Sequence, residues 1–301
     1  MSSRVFNRAA APASAKTQGW SLNKLLPHEW LCLGFFVWLL LQLIVAVGFF
    51  TSDSLLIASL LIANCALLVF FPYGQNPDRS WRLRLLFYPI AMNLLYFVLR
   101  TAIPAIHPEL EDTTLQAVDR ALVGTNLSIR LQPLVQPVLT DFLSFCYMLY
   151  FAYLLFGQVW YMFGDLAILK KYYVGLFSLY AVGYFGYSVL PALGPYLAMA
   201  DQFTTPLSGG WLTAVNEKMV LSGSNRVDVF PSLHCGNALY ILLSDYQHKR
   251  WRFWAYVIPC IGLWASTLYL RYHYFIDVVC GLVLGWVAWK MANRIARQGP
   301  A

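Results

Sequence analysis

"WLCLGFFVWLLLQLIVAVGFF", residues 30–50, runs for twenty-one residues without a charge. A helix needs roughly 20 apolar residues to cross a bilayer, so this stretch predicts a membrane-spanning helix. It is longer than a signal-peptide core and no clean cleavage site follows it. The expectation is an uncleaved first helix behind a basic, alanine-rich cytoplasmic tail, "MSSRVFNRAAAPASAKTQGWSLNK".

The rest of the chain repeats the pattern. Of 301 residues 59% are hydrophobic and only 12% charged, against about a quarter charged in a soluble domain. No soluble core of this length buries so much apolar surface, so lipid must be part of the solvent. The 20 Phe, 19 Tyr and 11 Trp suit a membrane protein with Trp and Tyr belts at the interfaces. Apolar runs predict eight spans, at about 30–50, 54–72, 83–103, 138–163, 171–192, 231–246, 252–270 and 273–292. The fold class is therefore all-α, a polytopic membrane helix bundle. The expected organisation is a tail over 1–29, two accessory helices over 30–82, a six-helix core over 83–292 and a second tail over 293–301.

An even number of spans places both termini on one side. The +7 net charge sits in short loops between apolar runs, which fits the positive-inside rule and not a nucleic-acid surface. Counting Lys and Arg gives 15 on the side of the termini and 6 on the other, so the termini are expected in the cytoplasm. The long loops, 104–137 and 193–230, then lie on the outer, periplasmic or lumenal face. Within the first, "LEDTTLQAVDRALVG" (110–124) has amphipathic spacing at Leu115, Val118, Leu122 and Val123 and predicts a short surface helix. Asp141, Asp165 and Asp245 fall near span ends and read as interfacial. The six cysteines lie in apolar stretches with no CxxC pair, so neither a zinc site nor a disulfide framework is indicated.

The chemistry concentrates in "FPSLHCG" (230–236) and "STLYLRYHYFID" (266–277). His273 and Asp277, four residues apart on a helix, would share a face. A carboxylate beside an imidazole fixes its tautomer and stabilises its cation. That face continues through Gly281 and Gly285, a GxxxG step that admits a neighbouring helix. His234 stands in the first turn of the sixth span, behind a proline suited to a helix start. Ser232 can cap that helix or donate to an anion, and its free N–H groups suit a phosphate. Two imidazoles and a carboxylate can transfer a phosphoryl group. One ring attacks phosphorus, the acid supports it, and the other ring protonates the leaving alkoxide and then activates the acceptor. Arg271, Arg226 and Arg100 are the candidate cations for the phosphate oxygens. Cys235 reads as packing.

These residues resemble the type 2 phosphatidic acid phosphatase superfamily. "PSLH" is similar to its second signature, Pro-Ser-Gly-His, and Ser266, His273 and Asp277 fit its third, Ser-Arg-x5-His-x3-Asp. The Pro-Ser-Leu-His form, with "LPALGPY" (190–196), resembles the branch of inositol phosphorylceramide synthases and their bacterial relatives. The resemblance covers roughly 83–292. It implies His273 as nucleophile through a phosphohistidine, Asp277 as its orienter and His234 as general acid. It also implies a phospholipid or lipid phosphate substrate, a lipid alcohol acceptor, no cofactor and a bacterial inner membrane. The first signature, Lys-x6-Arg-Pro, is absent before Pro191. Thr267 stands where the third signature has arginine, and Leu233 replaces glycine. The residues leave open headgroup transfer to an alcohol, as in a sphingolipid inositolphosphotransferase, or hydrolysis of a lipid phosphate. Two other classes are a metal or haem protein built on two His and a carboxylate, and a non-catalytic transporter or scaffold.

Overall fold

The computed structural model describes residues 25–70 and 77–297. Residues 1–24 of the expected N-terminal tail and 298–301 of the C-terminal one lie outside these. Eight long helices stand at the eight predicted spans: α1 (Pro27–Val47), α2 (Ser52–Phe70), α3 (Pro77–Ile106), α6 (Pro137–Met162), α7 (Leu166–Val189), α10 (Leu233–His248), α11 (Arg250–Tyr269) and α12 (Phe275–Arg297). Between them come α4 (Asp112–Val123), α5 (Leu127–Arg130), α8 (Pro195–Ala198) and α9 (Trp211–Gly223). The chain is a polytopic helical membrane protein. Several boundaries differ from expectation: α3 starts at Pro77 and α7 at Leu166, ahead of the expected 83 and 171. α1 begins at Pro27, where Glu29 reaches back to the Leu26 N–H (2.7 Å), and α12 continues past residue 292 to Arg297.

Five of the long helices, α1, α2, α3, α6 and α12, are apolar enough on their own to cross a membrane. α10, at 16 residues, is shorter than these, and α7 carries Lys170 and Lys171 and α11 Arg250 and Arg252 near their starts. α7 is the central element, packed by α1, α3, α10 and α12, and its Tyr172, Tyr173, Tyr184 and Tyr187 are buried. Val45 of α1, Phe50 in the turn after it, Ile62 of α2 and Trp254 of α11 are exposed. Such apolar surface needs lipid contact.

α1 and α2 do not form a separate layer. Phe35, Phe36, Leu39 and Leu43 of α1 share one core with Phe177 and Tyr184 of α7. Glu29 of α1 and Arg84 of α3 form a buried bidentate ion pair. A second buried pair joins α10 to α11: Arg252 Nε lies 3.0 Å from Asp245, which also accepts from Tyr153 and Tyr161 hydroxyls at 2.8 Å. Asp245 is therefore internal and not interfacial, since a buried carboxylate needs a cation and donors around it. Asp165 does stand at a helix end and caps α7 through the Ala167 and Ile168 N–H groups.

The tightest packing lies between α10 and α12. A Cβ added to Gly281 would come within 2.2 Å of the Ser232 carbonyl, and one on Gly285 within 2.4 Å of the Gly236 carbonyl. The GxxxG step of α12 thus receives α10 backbone to backbone. The sequence reading did not single out the glycines of α7, which do the same for α10: a Cβ on Gly183 would strike Leu233, and one on Gly186 would strike Pro231.

Candidate active site

α10 starts at Leu233 with Ser232 as its N-cap; the Ser232 hydroxyl accepts from the Cys235 N–H at 3.4 Å. Pro231 thus precedes the cap and is not the first helical residue. Ser232 is fully buried under α12, and its own N–H donates to the Asp277 carbonyl at 3.0 Å. His234, in the first turn, lies among Tyr147, Tyr150 and Phe151 of α6, with Tyr147 Oη 3.2 Å from its Nε2. Cys235 is buried against Thr267.

His273 does not sit on α12. It closes the turn before it, where the Tyr272 and His273 N–H groups both donate to the Thr267 carbonyl. Arg271 adopts a positive φ of 68° in this turn, a conformation uncommon outside glycine. The reversal turns His273 inward and Arg271 away. The Arg271 guanidinium binds the Thr205 carbonyl and lies 4.1 Å from the Phe203 ring centre. Its guanidinium is thus engaged by the segment between α8 and α9.

The two imidazoles face each other with ring centres 5.8 Å apart. Asp277 Oδ2 lies 3.6 Å from His273 Nδ1, longer than a formed hydrogen bond and of the length catalytic pairs show before substrate tightens them. The same oxygen accepts from the Tyr274 N–H at 2.8 Å. Burial pushes the His273 imidazole down to about 4, against the pull of the Asp228 carboxylate and the Val229 carbonyl. The ring is thus neutral, the form that carries a nucleophilic lone pair.

The surface helix α4, expected from its spacing, holds this turn by means the spacing did not reveal. Asp119 accepts from the Phe275 and Ile276 N–H groups, at 2.8 and 3.0 Å. Asp112 accepts from Leu193 N–H and Gly194 N–H at 2.9 Å each and from the Tyr274 hydroxyl at 2.8 Å. A helix start leaves N–H groups unpaired. Asp119 takes two of them at α12, which leaves Asp277 beside His273. Burial pushes the Asp119 carboxyl up, and those two N–H groups oppose the shift. Gly194, at φ 85°, passes so close to the Tyr272 carbonyl that a Cβ would lie 2.5 Å from it.

In front of His234 lies a cavity of about 340 Å³. Its walls carry Tyr96 of α3, Tyr147 and Tyr150 of α6 and Tyr184 and Tyr187 of α7. Asn93, Asn237, Ser224 and Asp228 complete the polar lining, and no Lys or Arg stands among the described lining residues. Met219, Val220 and Gly223 of α9 close one end. Asp141 of α6 caps its start through the Gly210 and Thr213 N–H groups, a tie more specific than the interfacial place expected of it. Beyond its end, Asn225 bonds Tyr96 of α3. Arg226 is exposed at φ 63° and acts electrostatically on Tyr196, which Asp228 also influences. Arg100 is exposed one turn beyond Tyr96 on α3. The structure brings together His234, His273, Asp277 and Ser232; it leaves Arg226 and Arg100 at the periphery and Arg271 elsewhere. Among the described residues no group of three His, Cys, Asp or Glu is placed to hold a metal ion.

Sequence reasoning missed the tyrosines and Asp228. A signal for the tyrosines existed: Tyr147 and Tyr150, and again Tyr184 and Tyr187, recur at i, i+3 inside apolar spans, a hydroxyl stripe that lipid would not solvate. Asp228 lies outside every motif.

A family model for the PAP2 superfamily matches residues 113–291. A stretch of 83 residues is 37% identical to the inositol phosphorylceramide synthase catalytic subunit AUR1 of Saccharomyces cerevisiae. It covers 27% of this chain and 19% of that protein, so the chain matches under a fifth of that relative's length. No solved structure matches. The family match spans more than half of the chain and contains both histidines and Asp277. The chain belongs to the PAP2 superfamily, a family of membrane lipid phosphatases and phosphotransferases.

Proposed function

We propose that the protein moves a phosphate-linked headgroup from one lipid to the hydroxyl of another through a phosphohistidine at His273. The observation that carries this reading is the facing pair of imidazoles with Asp277 behind one of them. Once substrate closes the 3.6 Å gap, Asp277 would hold the proton on His273 Nδ1 and leave the lone pair on Nε2. Nε2 attacks phosphorus in a glycerophospholipid. A P–N bond forms, the P–O bond to the diacylglycerol breaks, and the departing oxygen takes a proton from His234, which enters this step as the imidazolium. His234, now neutral, then takes the proton of a lipid alcohol as that oxygen attacks phosphorus. The P–N bond breaks and His273 is restored. With water as acceptor the same steps give hydrolysis.

The cavity supports transfer of a polyol phosphodiester. Its hydroxyls, amides and one carboxylate suit hydrogen bonding to a polyhydroxylated headgroup. The likeness to the yeast synthase points to an inositol-type headgroup and a sphingolipid-type alcohol. The N–H groups at the start of α10 and the rim residues Arg226 and Arg100 would hold the phosphate oxygens, and Ser232 would serve by fixing that helix start. The catalytic unit is α3, α6, α7 and α10–α12, with α1 and α2 packed on it.

The termini are assigned to the cytoplasm and the site to the outer face of a bacterial inner membrane. Removing buried Arg84 and Arg252 from the 15 Lys and Arg on one side, and buried Arg271 from the 6 on the other, leaves 13 against 5. The bias therefore does not depend on internal residues. The deciding experiment incubates purified protein with labelled phospholipids and lipid phosphates, with and without a lipid alcohol. Headgroup transfer that requires the alcohol supports the proposal. Release of inorganic phosphate from monoesters alone would replace it with a phosphatase.

A further inference from the structure

Asp228 stands in the segment between α9 and α10, half-buried in the wall of the cavity that His234 also lines. Its Oδ2 accepts from the Tyr96 hydroxyl at 2.6 Å and its Oδ1 from the Ser224 hydroxyl at 2.9 Å. Both partners are neutral, and among the described residues no Lys or Arg lies within ion-pair distance of it. Its charge acts on both site imidazoles.

Joining two hydroxyls does not require a charge. An asparagine could accept from them and donate to them, and an amide costs less to take out of water than a carboxylate. The negative charge must therefore matter to what enters the cavity. A phosphodiester carries one negative charge, and a phosphomonoester nearly two at neutral pH. For a phosphate held roughly 7–10 Å from the carboxylate, at an effective dielectric near 20, Coulomb's law disfavours one extra unit of like charge roughly fifteen- to fifty-fold. The carboxylate has about four lone-pair positions, of which two are used, so it can also accept from a headgroup hydroxyl.

We propose that Asp228 is a specificity-determining residue that admits singly charged phosphodiesters and excludes doubly charged phosphomonoesters. This rests on the phosphoryl-transfer reading of the site and explains how the same paired histidines act as a transferase and not as a monoester phosphatase. The repulsion falls on the ground-state complex, so it is read as a difference in binding.

The test uses a minimal pair of ligands, phosphatidate and its methyl ester, which share acyl chains and differ by one ester and one charge. Binding of each is measured to the full-length protein in nanodiscs of neutral lipid at pH 8, for the wild type, Asp228→Asn and Asp228→Glu. The wild type should prefer the methyl ester about tenfold or more. Asp228→Asn should lower that preference to about twofold by gaining affinity for phosphatidate, and Asp228→Glu should keep it. Equal binding by the wild type, or an undiminished preference in Asp228→Asn, overturns the proposal. So does an identical loss in both variants, which would make Asp228 a structural tie. Turnover of a polyol phosphodiester is assayed in parallel. Its absence in the wild type counts against the transfer reading alone, because the binding preference is read without chemistry.

Discussion

At the scale of the residue, the site depends on where one carboxylate is allowed to point. Asp277 has two suitors, the His273 imidazole and the N–H groups at the start of its own helix. It gives Oδ2 to Tyr274 N–H while staying 3.6 Å from Nδ1. Asp277→Asn should leave the fold intact and lower turnover by about three to four orders of magnitude, as loss of an orienting carboxylate does. His273→Ala should abolish turnover and also the acid-labile phosphate that a rapid quench with labelled donor lipid traps on the wild type. Retention of either signal in His273→Ala refutes the phosphohistidine. Because burial holds His273 down to about 4, the ring stays neutral through mildly acid conditions. The acid limb of the rate attributable to it should fall near pH 4, and not near the ordinary histidine value of about 6.5; a pH–rate profile for kcat/KM reads this directly.

At the scale of the element, two devices bring the residues together. The first is the contact of α10 and α12 through Gly236, Gly281 and Gly285. Gly281→Leu cannot be accepted without moving the helices apart, and overpacking of this kind costs about 1–3 kcal/mol or more. The expected result is a lower unfolding temperature together with lost activity, because the same contact sets the spacing of His234 and His273. The second is α4, whose Asp119 takes two N–H groups of α12. Asp119→Ala should cost about 1 kcal/mol, as loss of a cap does. It should also lower kcat more than it raises KM, since the freed N–H groups compete for Asp277. Asp119→Asn, which can still accept, should restore most of the rate. An equal loss in both variants would deny α4 this role.

At the scale of the molecule, the site end and the opposite end are built differently. The site end carries α4, α9 and the hydroxyl-lined cavity, and the other end is fastened by the Asp245–Arg252 and Glu29–Arg84 pairs. Removing Asp245 leaves Arg252 as an uncompensated charge buried among aromatic rings, at a cost of about 3–5 kcal/mol. Asp245→Ala should therefore fail to fold stably while its catalytic residues remain in place in sequence. Single cysteines at Leu122 and Arg250, both exposed and at opposite ends, report orientation when placed in a cysteine-free background. An impermeant thiol reagent should label position 122 from outside the cell and position 250 only after permeabilisation.

The sequence by itself determined the eight helices, because lipid imposes a length and an apolarity that any charge interrupts. It also singled out the two histidines and Asp277 as the proposed site, because they stand at fixed spacing within short segments. It suggested that Gly281 and Gly285 receive another helix. Only the tertiary structure decided that this helix is α10, that His273 lies in a turn, and that Arg271 points away from it. A single positive φ reverses the chain there, and no residue type announces that reversal. Tyr96, Asp228, Asp119 and Asp112 were invisible for a related reason. Each acts on a partner more than seventy residues distant, and the meaning of a lone carboxylate or hydroxyl depends on which donors folding sets beside it.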